Sequence, residues 1–171
     1  VRGILEIQPA IVGQIMGGKS YDLAVVTAAA GLGSLLASGW IGLGKLQQSY
    51  IQKSLWPMLS TGIVASALLH LFVDLIPVSL IFIVTGFTAT MVGIGAQTLI
   101  QLEVQESYRA RVMTWWSTIS FGSLFLGGAM AGFLGDIVGM DHAILFMMLA
   151  AGSLALFVLP HIKALKSSNP V

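Results

Sequence analysis

The stretch VSLIFIVTGFTATMVGIGAQTLI, from Val78 to Ile100, contains no Asp, Glu, Lys or Arg from one end to the other. About 20 mostly apolar residues in a helix are enough to cross the hydrocarbon core of a bilayer. The stretch does not alternate polar and apolar residues, as a membrane barrel strand does. Inside lipid a helix satisfies every backbone N–H and C=O within its own segment. The rest of the chain agrees: 56% of its residues are hydrophobic and 9% are charged, against roughly 25% charged in a soluble domain. A chain of this composition has the bilayer as its solvent.

Downstream of this segment, Gln101 to Arg111 gathers two acids and two arginines. A further span reads from Val112 to Leu134. A connection follows from Gly135 to His142, and then a span from Ala143 to Leu159 that Pro160 is expected to end, with Lys163 and Lys166 in the tail. Upstream, Asp74 to Pro77 is a tight connection, Pro77 being placed to separate two helices. Before it come a span from Leu55 to Val73, a polar loop from Gly44 to Ser54, a span from Tyr21 to Leu43 and a turn at Gly17-Gly18-Lys19-Ser20. The first segment, Arg2 to Gly17, holds Arg2, Glu6, Gln8 and Gln14 and reads as a polar span cut at its start. The expected fold is an all-α integral membrane protein with six transmembrane helices, at about 2–17, 21–43, 55–73, 78–100, 112–134 and 143–159. The chain begins at Val1 without a signal-peptide pattern, so it reads as a segment of something longer.

Alternate connections differ in charge. One set holds Arg2, Lys45, Lys53, Arg109, Arg111, Lys163 and Lys166; the other holds Lys19 beside Asp22, Asp74, Asp136 and Asp141. Lysine and arginine are retained on the cytoplasmic side. The first set and both termini are therefore expected to be cytoplasmic. Trp40, Tyr50, Trp56, Tyr108, Trp115 and Trp116 sit near the same boundary.

The spans also repeat in character. The first and fourth are polar, the fourth through Thr90, Gln97 and Gln101 on one face with Gly93 near it. The second and fifth carry small residues: Ala30, Ser34, Ser38 and Gly42 four apart in one, Gly128 and Gly132 with Gly135 in the other. Small residues at that spacing let helices approach closely. The third and sixth are plain. The order polar, small, plain is used twice. With three spans per unit the second unit is inverted, an inverted 3+3 repeat of the kind found in transporters.

Gln97-Thr98-Leu99-Ile100-Gln101, the segment Gln105-Glu106-Ser107-Tyr108-Arg109-Ala110-Arg111-Val112-Met113 and the glycine-rich run Phe121 to Gly135 together resemble the major facilitator superfamily, from its tenth to its eleventh helix. Within it they are most similar to bacterial exporters of the enterobactin-exporter and macrolide-efflux type. Thr27-Ala28-Ala29-Ala30-Gly31-Leu32-Gly33 resembles that branch's eighth helix. The resemblance implies the C-terminal half of a twelve-helix transporter in a bacterial inner membrane, with a missing N-terminal six-helix half as partner. It also implies alternating access, with a small-molecule substrate and protons as further partners. The helices matching spans one and four would line the cavity, and those matching spans two and five would face the other half. Gly44-Lys45-Leu46-Gln47-Gln48 keeps only a glycine and scattered lysines of the superfamily's basic loop motif.

Four residues are candidates for a substrate cavity: Glu6, Thr90, Gln97 and Gln101. An ionisable residue within a span points to function because its burial is costly. Arg2 and Glu6 lie four apart, on one helical face, so an interfacial ion pair is the plainer reading of Glu6. Helix-to-helix hydrogen bonding is the plainer reading of the glutamines. Glu103, Glu106, Arg109 and Arg111 are candidates for a cytoplasmic latch, or plain solvated anchors. His70 could relay a proton but reads more simply as an interfacial residue beside Asp74; His142 and His161 read as solvated. An intramembrane serine enzyme would need a serine held by a histidine. Ser66 and His70, four apart with Asp74 beyond, are the one pair to test, and no enzyme is expected. With no cysteine and a net charge of +1, thiolate metal sites, disulfides and nucleic-acid binding are not expected. No cofactor is expected either.

Overall fold

The computed structural model describes the backbone of residues 2–43 and 48–168, and the side chains of 3–43 and 49–158. Every regular element among the described residues is helical. In chain order they are α1 (Arg2–Glu6), α2 (Gln8–Ala10), a π turn (Ile11–Ile15), α3 (Ser20–Leu43), α4 (Gln48–Ala67) with a 3-10 turn (Leu68–Leu71), α5 (Leu75–Glu103), α6 (Glu106–Val138) and α7 (Met140–Ser168). Five helices among the described residues are long and apolar enough to cross a membrane, where six spans were expected.

The difference lies in the first segment. Ile7 leaves the helical region with φ −99° and ψ 15°, and Pro9 follows, without an N–H to give. The helix then widens into the π turn before it stops. Even laid end to end, about 14 residues would reach only about 21 Å at 1.5 Å each, short of the roughly 30 Å hydrocarbon core. The segment is packed inside instead. Ile4, Ile7, Gln8, Ile11 and Val12 are all buried. Gly17, with φ +60°, turns the chain at the expected Gly17-Gly18-Lys19-Ser20 position; the Lys19 N–H donates to Asp22 Oδ2 at 2.7 Å and starts α3.

Helix ends also run past the expected spans. The polar segment 48–54 is the first part of α4, not a loop. Of the charged segment from Gln101 to Arg111, only Val104 and Gln105 are outside a helix. The connection from Gly135 to His142 shrinks to Gly139, at φ +88°. Pro160 does not end α7, whose backbone stays helical to Ser168. One cause covers the last three. A helix 29 to 33 residues long, as α5, α6 and α7 are, is about 44–50 Å, longer than the hydrocarbon core. Its charged ends then reach water and are free to stay helical, whereas the expected spans stopped where apolarity stopped. Lys45, in the stretch 44–47, lies outside the described residues, as do the side chains of Arg2, His161, Lys163 and Lys166.

The most extensive packing joins α3 to α5; α4 lies against α5 and α7, α7 against α6, and α1 against α6. Glycines set the α3–α5 distance. A Cβ on Gly33 would overlap the carbonyl oxygen of Ile83, and one on Gly86 would overlap that of Ala30. Ala30 and Ala37 are buried on the same face of α3. The expected stripe of Ala30, Ser34, Ser38 and Gly42 divides along α3. Ala30 packs here, and Ser34 donates both to its own Ala30 carbonyl at 3.1 Å and across to Gly86 at 3.4 Å. Ser38 and Gly42 are exposed, and a Cβ on Gly42 would meet nothing. On α6, Gly128 and Gly132 also face open space, while Gly135 packs against Met140. Ala131 is the one residue of α6 that is fully buried.

Candidate functional site

Hydroxyls in these helices mostly bind their own backbone. Ser38 donates to Ser34, Thr61 to Pro57, Thr88 to Val84, Thr114 to Ala110, Thr118 to Thr114 and Ser153 to Leu149, all through carbonyls one turn back at 2.8–3.0 Å. In lipid no water competes for these groups, so a serine or threonine closes its own hydrogen bond. A polar face on a helical wheel therefore does not locate a site.

The cavity does. About 410 Å³ of space lies between α1, α4, α5, α6 and α7, inside the range of small-molecule pockets. Gly3 and Ile4 close it from α1, Met58 and Leu59 from α4, and Met147, Met148 and Ala151 from α7. Thr88, Ala89, Val92 and Gly93 line the α5 wall; Trp116, Ser120 and Ser123 line the α6 wall. Two of these hydroxyls are already engaged, Thr88 as above and Ser123 with the Ser120 carbonyl at 2.8 Å. No residue in the lining carries a charge. The walls offer an indole, three adaptable thioethers and aliphatic surface: the chemistry of an uncharged, lipophilic ligand. Gly3 can close against α6 because Gly127 faces it, a Cβ on Gly3 lying 3.9 Å from the Gly127 Cα.

The residues chosen from sequence fall elsewhere. Glu6, Gln97 and Gln101 are exposed and Thr90 is half-buried, and none of the four lines the cavity. Gly93, noted beside that face, does line it. Glu103, Glu106, Arg109 and Arg111 are exposed around the break at Val104–Gln105, and no ion pair joins them among the described residues. Neither Ser66 Oγ, fully buried, nor His70 Nδ1 has a hydrogen-bond partner; the Ser66–His70 hydrogen bond that a nucleophile would need is not formed. His70 turns instead toward Asp141, with Nδ1 at 3.7 Å from Oδ2, and not toward Asp74 as expected.

One polar contact was passed over. Gln8 is 6% exposed and accepts a hydrogen bond at Oε1 from the Thr27 hydroxyl at 2.8 Å. It ties the broken first segment to α3. Thr27→Val is expected to lower stability by about 1 kcal/mol, the range of such bonds in membrane proteins. Adding Gln8→Leu should recover part of that loss, because the buried amide is then no longer left without its partner. A double-mutant cycle on unfolding in SDS measures the coupling; simple additivity of the two substitutions would show that the bond is not worth this much.

Comparison with protein-family models, with curated proteins and with solved structures finds no match.

Proposed function

We propose that the chain is the C-terminal half of a secondary transporter of the major facilitator type, which exports a small molecule in exchange for protons by alternating access. The cavity carries this reading. It lies among membrane helices, it has the volume of a drug-sized ligand, and it has no charged residue in its walls. The broken first segment supplies one wall of it, through Gly3 and Ile4, in keeping with the cavity role that the resemblance gives that helix. The largely unburied α6 leaves a face for lipid and for the expected N-terminal half. On the lysine and arginine distribution, we assign the α5–α6 connection and the C-terminus to the cytoplasmic side of a bacterial inner membrane; with five spans, the start of α3 then lies on the opposite side.

The cavity refines the substrate to a neutral, lipophilic molecule. A carboxylate or ammonium would find no counter-ion in the lining, and its desolvation would go uncompensated. The test is binding of neutral N-phenylnaphthylamine to the protein in lipid nanodiscs. Saturable binding with energy transfer from tryptophan, reduced in Trp116→Phe, is expected. In everted vesicles holding the full-length protein, uptake of the same probe should follow an imposed pH gradient and stop with a protonophore. Partition of the probe into lipid alone, with no saturable component, would overturn the assignment.

A further inference from the structure

At the end of the bundle opposite Lys53, Arg109 and Arg111, three side chains from two elements meet. His70 comes from the 3-10 turn that finishes the α4 rod, and Asp141 and His142 from the first turn of α7. Asp141 Oδ2 lies 3.0 Å from His142 Nδ1 and 3.7 Å from His70 Nδ1. The two imidazole rings stand edge to face, with centroids 5.2 Å apart. One carboxylate oxygen thus faces the Nδ1 of both rings. A carboxylate only accepts, so each Nδ1 must carry a proton to engage it. At 3.0 Å His142 does so. At 3.7 Å His70 falls short of a hydrogen bond, and its Nδ1 is buried with no other partner.

We propose that His70, Asp141 and His142 form a proton-binding clasp: a proton taken up by the imidazole pair draws the Leu68–Leu71 turn onto α7. A charge-assisted N–H···O bond settles near 2.7–2.9 Å, so protonation of His70 closes a gap that stands open at 3.7 Å. Besides Asp74, the other charged groups at this end are Lys19, exposed before α3, Asp22 in its first turn and Asp136 in the last turn of α6, and none of them forms an ion pair with His70, Asp141 or His142 among the described residues. The turn packs against α4, α5 and α7. On α7 the ionisable groups near it are Asp141 and His142 themselves. The facing half of α4 has none, and α5 has none between Asp74, which precedes it, and Glu103 at its far end. The π turn that also reaches α7 has only the neutral Gln14. Histidine is the side chain whose charge changes between pH 5 and 8, which sets the two pH values at which the clasp is tested.

Its position gives it a consequence. Met58 and Leu59 on α4, and Met147, Met148 and Ala151 on α7, are two walls of the cavity, and Met147 follows His142 by about 8 Å of helix. Fastening the α4 rod to α7 at one end narrows the space between those walls. An acidic medium at that end therefore favours a tightened cavity, and a neutral one a loose cavity. This last step rests on the cavity being a ligand site; the clasp itself does not.

The experiment is amide hydrogen exchange of Leu69, His70 and Leu71 in the full chain in nanodiscs at pH 5.5 and pH 8, each rate divided by its intrinsic rate at that pH. About tenfold higher protection at pH 5.5 is expected, the worth of one hydrogen bond to a charged group. Asp141→Asn should remove the difference. His142→Gln, at a half-exposed site with little risk to folding, should reduce it. Equal protection at both pH values in the unmodified chain, or a pH difference that survives Asp141→Asn, overturns the clasp. N-phenylnaphthylamine binding is read on the same samples. Its absence at both pH values, with the exchange difference intact, would overturn the cavity reading and leave the clasp standing.

Discussion

Gly86→Ala is expected to destabilise the protein by about 3 kcal/mol, at the upper end of what one added methyl costs in a packed interior. The usual relief is not open to it. An overpacked side chain meets another side chain, which changes rotamer; the Gly86 Cβ would meet the backbone carbonyl of Ala30. Gly33→Ala should do the same from the opposite helix, against Ile83 O and, at 2.8 Å, Phe87 N. Each forces α3 and α5 apart along their whole seam. Gly128→Ala and Gly132→Ala make the control, since nothing lies within 4 Å of either new methyl. There alanine's better helix propensity, by nearly 1 kcal/mol, should leave stability unchanged or slightly raised. Unfolding in SDS, followed by circular dichroism, orders the four variants. Equal stability in Gly86→Ala and Gly128→Ala would remove the α3–α5 glycine contact as a determinant of the fold.

Ala151→Phe is expected to abolish binding of a neutral lipophilic probe, by at least about a hundredfold, while the helices remain folded. Ala151 lines the cavity from α7 and is half-buried. A phenyl ring there occupies space that the ligand's own apolar surface would fill. At about 25 cal/mol for each Å² of buried apolar surface, a ligand denied roughly 110 Å² loses about 2.7 kcal/mol, which is that hundredfold. Ala151→Ser, nearly isosteric, should bind the probe almost as the unmodified protein does. Titration of probe fluorescence in nanodiscs distinguishes them. Undiminished binding in Ala151→Phe would place the ligand outside this cavity.

The membrane class and the long helices were legible because both rest on composition and run length, which the bilayer's thickness converts directly into structure. The five long helices match expected spans, with ends displaced outward. The displacement has a simple origin: hydropathy marks the hydrocarbon slab, whereas hydrogen bonding continues wherever nothing stops it. Gly17 and Gly139 stop it, and so does the break at Val104–Gln105. Glu106 to Arg111 and residues 48–54 do not. The α3–α5 contact was hidden for a related reason. Spacing of four names a face of a helix but not which neighbour the face meets. Gly33, three residues from Ala30, meets Ile83 and Phe87, while Gly86 meets Ala30 itself.

The site was less legible. Thr90, Gln97 and Gln101 stood out as the polar residues of an apolar helix, yet the cavity is walled by Ala89, Val92, Met147, Met148 and Trp116, which resemble any other residues of a membrane protein. An apolar pocket leaves no compositional trace. The closeness of Gly3 to Gly127 brings the first segment to the cavity. His70 and His142 were set aside separately because they are 72 positions apart. Only the packing of the 3-10 turn on α7 makes them neighbours.

Gly139 has a bearing on how the protein is made. It is the sole non-helical residue between a helix of 33 residues and one of 29. A linker of one residue gives α6 and α7 no slack, so neither can settle in the bilayer at a depth that the other does not share. The two are therefore delivered as a single hairpin, in which emergence of α7 from the ribosome sets the moment at which α6 can take its final position. Besides that one peptide, the polar cargo of the bend is Asp136, Asp141 and His142, a small load to move through hydrocarbon.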